Sequence, residues 1–303
     1  MSLQKTLRST VSCTGIGLHS GKRITLTLRP ARSDTGIVFV RKDLGGLEVP
    51  AIQANVVDTL LATTLGQGGV CVATVEHVLA ALRGLGIDNA FVELDGEEVP
   101  IMDGSAAPFV VLIRVAGTRS QRGRQRHMVI RRTVQVKDGD KLAELRPGDD
   151  FRLSYTIDFE HPFIGTQFID YRHSANAFEK DLSRARTFGF LDEFETLQEK
   201  GLARGGSLDN AVVVGEDTIL NHEGLRYEDE FVRHKVLDAI GDLSLVGYPI
   251  QGHFLARKAG HGLNHRLLAE LLSSKANYKI VEGSPASSQS ESSPFGVLES
   301  AVA

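Results

Sequence analysis

The pattern of apolar positions changes character along the chain. It opens with short runs of β-branched and apolar residues, at 10–11, 23–28 and 36–40, punctuated by Gly and Pro, and these predict strands. Over residues 74–83 the spacing becomes helical. Val75, Val78, Leu79, Leu82 and Leu85 recur on one face, with Thr74 as N-cap and Gly84 and Gly86 as the stop. A strand at 89–94 and a loop with a short helix through 101–114 follow. A second helix is expected at about 228–246.

Residues 117–126 (GTRSQRGRQR) are basic, contain Gly and have no periodicity, so they read as a linker. A solvated basic loop inside one domain would look the same. Beyond it the pattern begins again. Arg8-x-Thr10-Val11 recurs as Arg131-x-Thr133-Val134, Leu28-Arg29-Pro30 as Leu145-Arg146-Pro147, and Asp88-Asn89-Ala90 as Asp209-Asn210-Ala211, in the same order and at nearly one offset. Such ordered matches predict two similar halves. The expectation is an α+β chain with domains 1–120 and 127–282 related by duplication, and a site at their interface. The Ser-rich, apolar-poor end, 283–303, is expected to be a disordered tail.

Composition narrows the function classes. A chain of 303 residues with 42% hydrophobic and 24% charged residues is globular, and no apolar run is long enough to span a bilayer. With 34 Lys and Arg against 38 Asp and Glu, a nucleic-acid binder is disfavoured, because such binding rests on neutralising phosphates. The N-terminus lacks the apolar segment of a secretory signal. The two cysteines, Cys13 and Cys71, lack CxxC spacing, which fits a reduced cytoplasmic compartment. Any metal must therefore be held by His and carboxylates.

Three places can carry that chemistry. On the second helix, Val232, Val236, Ala239, Ile240 and Leu243 form an apolar stripe, while His234, Asp238 and Asp242 stand on the opposite side at i, i+4 and i+8. An i, i+4 His–Asp pair can converge on one ion, and imidazole with carboxylate suits Zn²⁺, Fe²⁺ or Mn²⁺. A solvated polar face would show the same column. On the first helix, Glu76 and His77 lie outside the apolar stripe in the first turn. A Glu beside a metal-binding His is a natural general base, although the helix dipole alone would favour a Glu there. His77 joined to His234 and Asp238 would make a three-ligand site with an open position for water. Finally, His261 sits between Gly260 and Gly262, as on an open loop, where an imidazolium oriented by Asp242 could support an oxyanion or a departing amine. A surface histidine is the plainer alternative.

Six segments together resemble one family. TGIGLHSG at 14–21, TVEH at 74–77, GIDN at 86–89, PIMDGSA at 100–106, SRARTFGF at 183–190 and RYEDEFVRHK at 226–235 are similar to the UDP-3-O-acyl-N-acetylglucosamine deacetylases of lipid A synthesis. The resemblance runs from residue 5 to about residue 270. It implies two βααβ-type sandwich domains with their helix layers packed together and the active site between them. It implies hydrolysis of the N-acetyl group of a nucleotide sugar, with one zinc ion per chain held by His77, His234 and Asp238, and Fe²⁺ as the alternative in the cell. By the same resemblance Glu76 is the general base, His261 the acid or electrostatic partner positioned by Asp242, and Thr187 the donor to the oxyanion. Lys235 would bind substrate, Phe159, Phe188 and Lys258 would meet the nucleotide or sugar, and Phe190 would approach the acyl passage. On the residues alone, Thr187 reads as a turn residue and Phe188 as a core aromatic.

The chain is further expected to be a cytoplasmic monomer that binds no nucleic acid and does not insert stably into membrane. Two departures stand out: Ala62 where some relatives carry a cysteine near the metal, and Arg146 where relatives carry a lysine near the nucleotide. Two other readings compete: a metalloamidase for another acylated amino sugar, and a non-catalytic nucleotide-sugar binding protein.

Overall fold

The computed structural model describes residues 2–199 and 201–283. All but the first residue of the expected tail, 283–303, lies outside the described residues. The chain begins with strands β1 (Leu3–Leu7), β2 (Val11–Ile16), β3 (Arg23–Pro30), β4 (Ile37–Arg41) and β5 (Leu47–Pro50). Three short strands follow, β6 (Val56–Asp58), β7 (Thr64–Gln67) and β8 (Val70–Val72), then helix α1 (Glu76–Gly84), β9 (Ala90–Leu94) and α2 (Ala107–Ala116). Next come β10 (Thr118–Arg124), β11 (Arg126–Ile130), β12 (Val134–Asp138), β13 (Lys141–Arg146), β14 (Phe151–Asp158) and β15 (Thr166–Arg172). A single turn α3 (Ala175–Ala177) leads to β16 (Phe188–Phe190), α4 (Leu191–Glu199) and β17 (Val212–Val214). The described chain closes with α5 (Glu230–Leu243), β18 (Ile250–Arg257), α6 (His261–Leu272) and β19 (Tyr278–Glu282).

Two sheets share one topology, and the fold is α+β. The first has the order β2-β3-β9-β4-β5, and the second contains β12-β13-β18 with β14 and β15 continuing from β18. In the first sheet the successive pairings are antiparallel, antiparallel, parallel and antiparallel. The second repeats that series. The reason is legible in the strands themselves. Ile24, Leu26 and Leu28 on β3 are buried while their neighbours are more open, and Leu153, Tyr155 and Ile157 on β14 do the same. One face of each sheet is thus apolar and must be covered. Helices cover it: α6 lies on β12 and β13, and α5 on β14 and β15. Each half also inserts a small sheet ahead of its central helix, β6–β8 before α1 and the parallel β16–α4–β17 unit before α5.

The central helices α1 and α5 pack against each other, and this contact brings the two halves together. Gly241 makes the approach possible. A Cβ built there would strike the Glu76 carbonyl and Cα, so the α5 backbone rests on the first turn of α1.

Several expectations need correction. Residues 118–124 are not a linker but strand β10, paired antiparallel with β1. Most of its side chains are exposed, so the strand has no buried face to write a periodicity into the sequence. Thr74 is not an N-cap: it has φ 59°, its hydroxyl donates to Glu98 Oε1 at 3.2 Å, and α1 starts at Glu76. The match of 209–211 to 88–90 does not mark equivalent strands. The partner of β9 by topology is β18, whereas 212–214 belongs to the inserted β17. The matches at 10–11 and at 28–30 do fall on equivalent strands, β2 with β12 and β3 with β13.

The close α1–α5 contact yields a prediction. Gly241→Ala should destabilise the protein by about 1–3 kcal/mol, because backbone rather than a movable side chain blocks the added methyl. Urea unfolding measures it, and an unchanged midpoint would mean that the helices have room to part.

Candidate metal and catalytic centre

Glu76 and His77 reach the α1–α5 seam from the first turn of α1, and His234, Asp238 and Asp242 reach it from successive turns of α5. The polar column of α5 is not solvated, as a surface helix would have it. All three of its residues are at most 4% exposed, because α1 and α6 cover that side.

His77 Nε2 lies 3.5 Å and His234 Nε2 3.3 Å from the same oxygen, Asp238 Oδ1. One ligand atom from each residue lies within 4.8 Å of the others. The His77 and His234 rings meet edge to face, with centroids 5.0 Å apart. Asp238 Oδ1 is buried and has no hydrogen-bond partner among the described residues, and the same holds for His77 Nδ1. A buried orphan carboxylate oxygen facing two imidazoles is costly unless a cation completes it. The three side chains therefore form a site that can hold a metal ion, and two imidazoles with a carboxylate suit Zn²⁺ or Fe²⁺.

Protonation states agree with that use. His234 Nδ1 is 3.0 Å from the Ala185 carbonyl. A carbonyl only accepts, so Nδ1 carries the proton and Nε2 presents its lone pair to the cluster. Burial, only partly opposed by Asp238, pushes the His234 imidazole down to about 3, so it is neutral at ordinary pH. Burial works against the Asp238 carboxylate, yet the neighbouring His234 and Lys235 hold its pKa well below the usual range. Lys235 Nζ donates to Asp238 Oδ2 at 3.0 Å.

Glu76 and His261 are shifted upward for different reasons. Burial raises the Glu76 carboxyl, with His261 and His77 opposing, and its Oε2 accepts the Thr63 N–H at 3.0 Å. For His261, burial disfavours the imidazolium, but the Asp242 carboxylate 2.9 Å from Nδ1 outweighs it and lifts the pKa to about 9. His261 is not on an open loop. It is the first residue of α6 and only 8% exposed, and the flanking glycines belong to a helix start. Asp242 is wholly buried and accepts from Thr63 Oγ1 at 2.6 Å and Asn264 Nδ2 at 2.9 Å, with His265 Nε2 3.3 Å away. Thr63, Asn264 and His265 were missed from sequence. The 261, 264, 265 spacing is a helical face, visible once residues 261–272 are read as a helix, but nothing in the sequence marks Thr63.

A cavity of about 690 Å³ opens over this centre. Glu76, His77, Thr187, His234, Lys235, Asp238 and His261 line it, as do Phe159, Phe188, Phe190 and Lys258. Asp242 lies beneath His261 rather than on the wall. Phe159 touches Phe188 and Phe190 at centroid distances of 5.7 and 5.8 Å, and Lys235 Nζ sits 5.6 Å from the Phe188 ring centre. Lys258 spends part of its charge on Asp140 and Asp158, at 2.9 and 3.2 Å. Lys141 and Arg266 add positive charge to the rim and were not expected there. Ala62 lies on the wall as anticipated, whereas Arg146 pairs with Glu144 on β13 and is not part of it.

A buried carboxyl with a raised pKa, a carboxylate-paired histidine and a His–His–Asp cluster in one cleft are the parts from which a metal-dependent hydrolase can be built. Comparison with known proteins makes the class specific. The family model described as LpxC, UDP-3-O-acyl N-acetylglycosamine deacetylase, matches residues 4–273. The UDP-3-O-acyl-N-acetylglucosamine deacetylase of Myxococcus xanthus is 58% identical over 279 residues, covering 92% of this chain and 89% of that protein. The enzyme of the same name from Anaeromyxobacter dehalogenans is 54% identical over 278 residues, covering 92% and 90%. That from Saccharophagus degradans is 52% identical over 284 residues, covering 93% and 94%. The chain belongs to the UDP-3-O-acyl-N-acetylglucosamine deacetylase family.

The Asp242–His261 pair sets a pH dependence. The raised His261 keeps its proton to about pH 9, so a rate that needs imidazolium should fall as pH rises through that value. Asp242→Asn should move this alkaline limb about one to three pH units to the acid side. An unmoved limb in the pH–rate profile would detach His261 from the ionisation.

Proposed function

We propose that this chain hydrolyses the N-acetyl group of UDP-3-O-acyl-N-acetylglucosamine, releasing acetate and UDP-3-O-acyl-glucosamine, the committed step of lipid A synthesis. One zinc ion held by His77, His234 and Asp238 serves the reaction. The observation that carries the reading is the orphaned Asp238 Oδ1 facing two imidazole nitrogens beside a buried Glu, in a chain of this family. The substrate class comes from the relatives' names and from a cavity that offers cations at the rim and aromatic rings along one wall.

A zinc ion held by these three residues would supply Lewis acidity, polarising the acetamide carbonyl and making an attacking water more acidic. Glu76 takes the proton as the water oxygen bonds to the acetamide carbon. Burial raises its pKa, which makes it a better proton acceptor than an exposed carboxylate. The carbonyl oxygen gains negative charge, and the Thr187 hydroxyl on the cavity wall donates to it. Imidazolium at His261, held charged by Asp242, supports the developing charge and gives its proton to the amine as the C–N bond breaks. Lys235 reaches substrate from beside the Phe188 ring, and the aromatic cluster with Phe190 forms the apolar wall toward the acyl chain. Two free cysteines support a cytoplasmic setting.

Acetate release from this substrate should be abolished by a chelator and restored by zinc. Glu76→Ala should lower turnover by at least about a hundredfold while metal content stays at one ion per chain. Release that ignores the chelator would overturn the reading, and loss of metal in the Glu76 variant would make that residue a ligand.

A further inference from the structure

A buried ion pair lies just behind the ligand-bearing turn of α5, and the mechanism above leaves it without a role. Arg186 is 1% exposed and Glu230 is wholly buried. Glu230 opens α5 one turn before His234. Its Oε1 accepts from the Arg186 backbone N–H and from Nε, each at 2.9 Å. Its Oε2 accepts from Arg186 Nη2 at 3.1 Å and from the Arg226 backbone N–H at 2.6 Å. The rest of the guanidinium donates to Glu223 Oε1 at 2.6 Å and to the Gly224 carbonyl at 2.7 Å. The chain at Arg186 is therefore tied to the first turn of α5 by its backbone and its side chain together.

The neighbours of Arg186 explain why that tie matters. On one side, the Ala185 carbonyl is the acceptor for His234 Nδ1–H. On the other, Thr187 faces the cavity, its N–H donating to the Gly104 carbonyl and its carbonyl accepting from the Val212 N–H, each at 2.8 Å. A shift of this segment would move both the group that fixes the His234 tautomer and the hydroxyl on the cavity wall. A buried ion pair is a poor device for stability alone, since apolar residues of similar volume often serve as well. A pair that aims a backbone carbonyl at a ligand has a reason to be charged, because a carboxylate can accept every one of these donors at fixed angles.

We propose that Arg186 and Glu230 are positioning residues for the metal centre: the pair holds the Ala185 carbonyl against His234 Nδ1 and so keeps the Nε2 lone pair pointed at the ion. This rests on His234 being a metal ligand. Gln at 230 has one oxygen, so its NH₂ would confront donors now served by Oε2. Lys at 186 keeps the charge but loses the planar fork.

Glu230→Gln and Arg186→Lys test this, with Glu223→Gln as control. Glu223 touches the same guanidinium but its side chain is 59% exposed. Zinc affinity by chelator competition, the visible spectrum of the cobalt-substituted protein, the melting temperature without metal, and kcat and KM are read for each. The two buried variants should bind zinc about ten- to a hundredfold more weakly. Their cobalt spectra should change and kcat should fall further than KM rises, while the control stays within about twofold of wild type. A lowered metal-free melting temperature with unchanged zinc affinity and cobalt spectrum would make the pair merely structural and overturn the inference. Should neither buried variant fold, the tautomer is read in the wild-type zinc protein by ¹⁵N NMR. A proton on His234 Nδ1 is expected, and one on Nε2 overturns the inference. Wild-type protein that binds no zinc sinks the ligand assignment itself.

Discussion

Everything at the centre depends on a polar seam from which water is nearly excluded, where α1 lies directly on α5. Two helices from topologically equivalent places meet there, close enough that Gly241 must lack a side chain. The contact buries Glu76, His77, His234, Asp238 and Asp242 together, each at most 4% exposed. Such a concentration of ionisable groups is expensive in a low-dielectric interior unless each finds a partner. Glu76 finds the Thr63 N–H, His234 the Ala185 carbonyl, and Asp242 Thr63, Asn264 and His261. Asp238 Oδ1 finds none among the described residues. The unsatisfied oxygen is what turns a packed seam into a candidate binding centre.

The same burial acts differently on the proposed base and the proposed acid. Glu76 and His261 share the cleft, yet one is shifted by burial itself and the other by a carboxylate that overrides burial. The pair Asp242–His261 also links fold stability to pH. Asp242, depressed below its usual 3.8, stabilises the fold above that value and loses the contribution as pH falls. His261, raised from 6.5 to about 9, contributes fully below 6.5 and loses the contribution as pH rises through 9. The pair thus favours the fold most between these limits, which is also where the proposed chemistry needs it charged.

How much of this could be seen in the sequence depended on whether burial left a periodic trace. The helices bearing the proposed ligands were legible because each has an apolar stripe with polar residues beside it, an adjacent Glu76–His77 pair on α1 and His234 and Asp238 at i, i+4 on α5. The shared topology of the two sheets was legible in the first hairpin of each, where turn and strand residues recur, but not in the central strands. There the inserted β17 offered a false match at 209–211. Strand β10 was invisible because it is mostly exposed and basic. His261 was misplaced because two flanking glycines look like a loop when the helix that follows has no side-chain cap to announce it. Thr63 and the Ala185 carbonyl belong to the site only through tertiary contact. The roles of Thr187 and the aromatic wall were legible by family resemblance alone.

The central claim is that one metal ion sits between the two halves, bound by a residue from α1 and two from α5. Anomalous diffraction at the zinc absorption edge, from crystals of the zinc-loaded protein, tests it most directly. The account predicts a single strong peak within bonding distance of His77, His234 and Asp238 together. A peak bound by the α5 residues without His77, or one elsewhere in the molecule with this cluster empty, would contradict it.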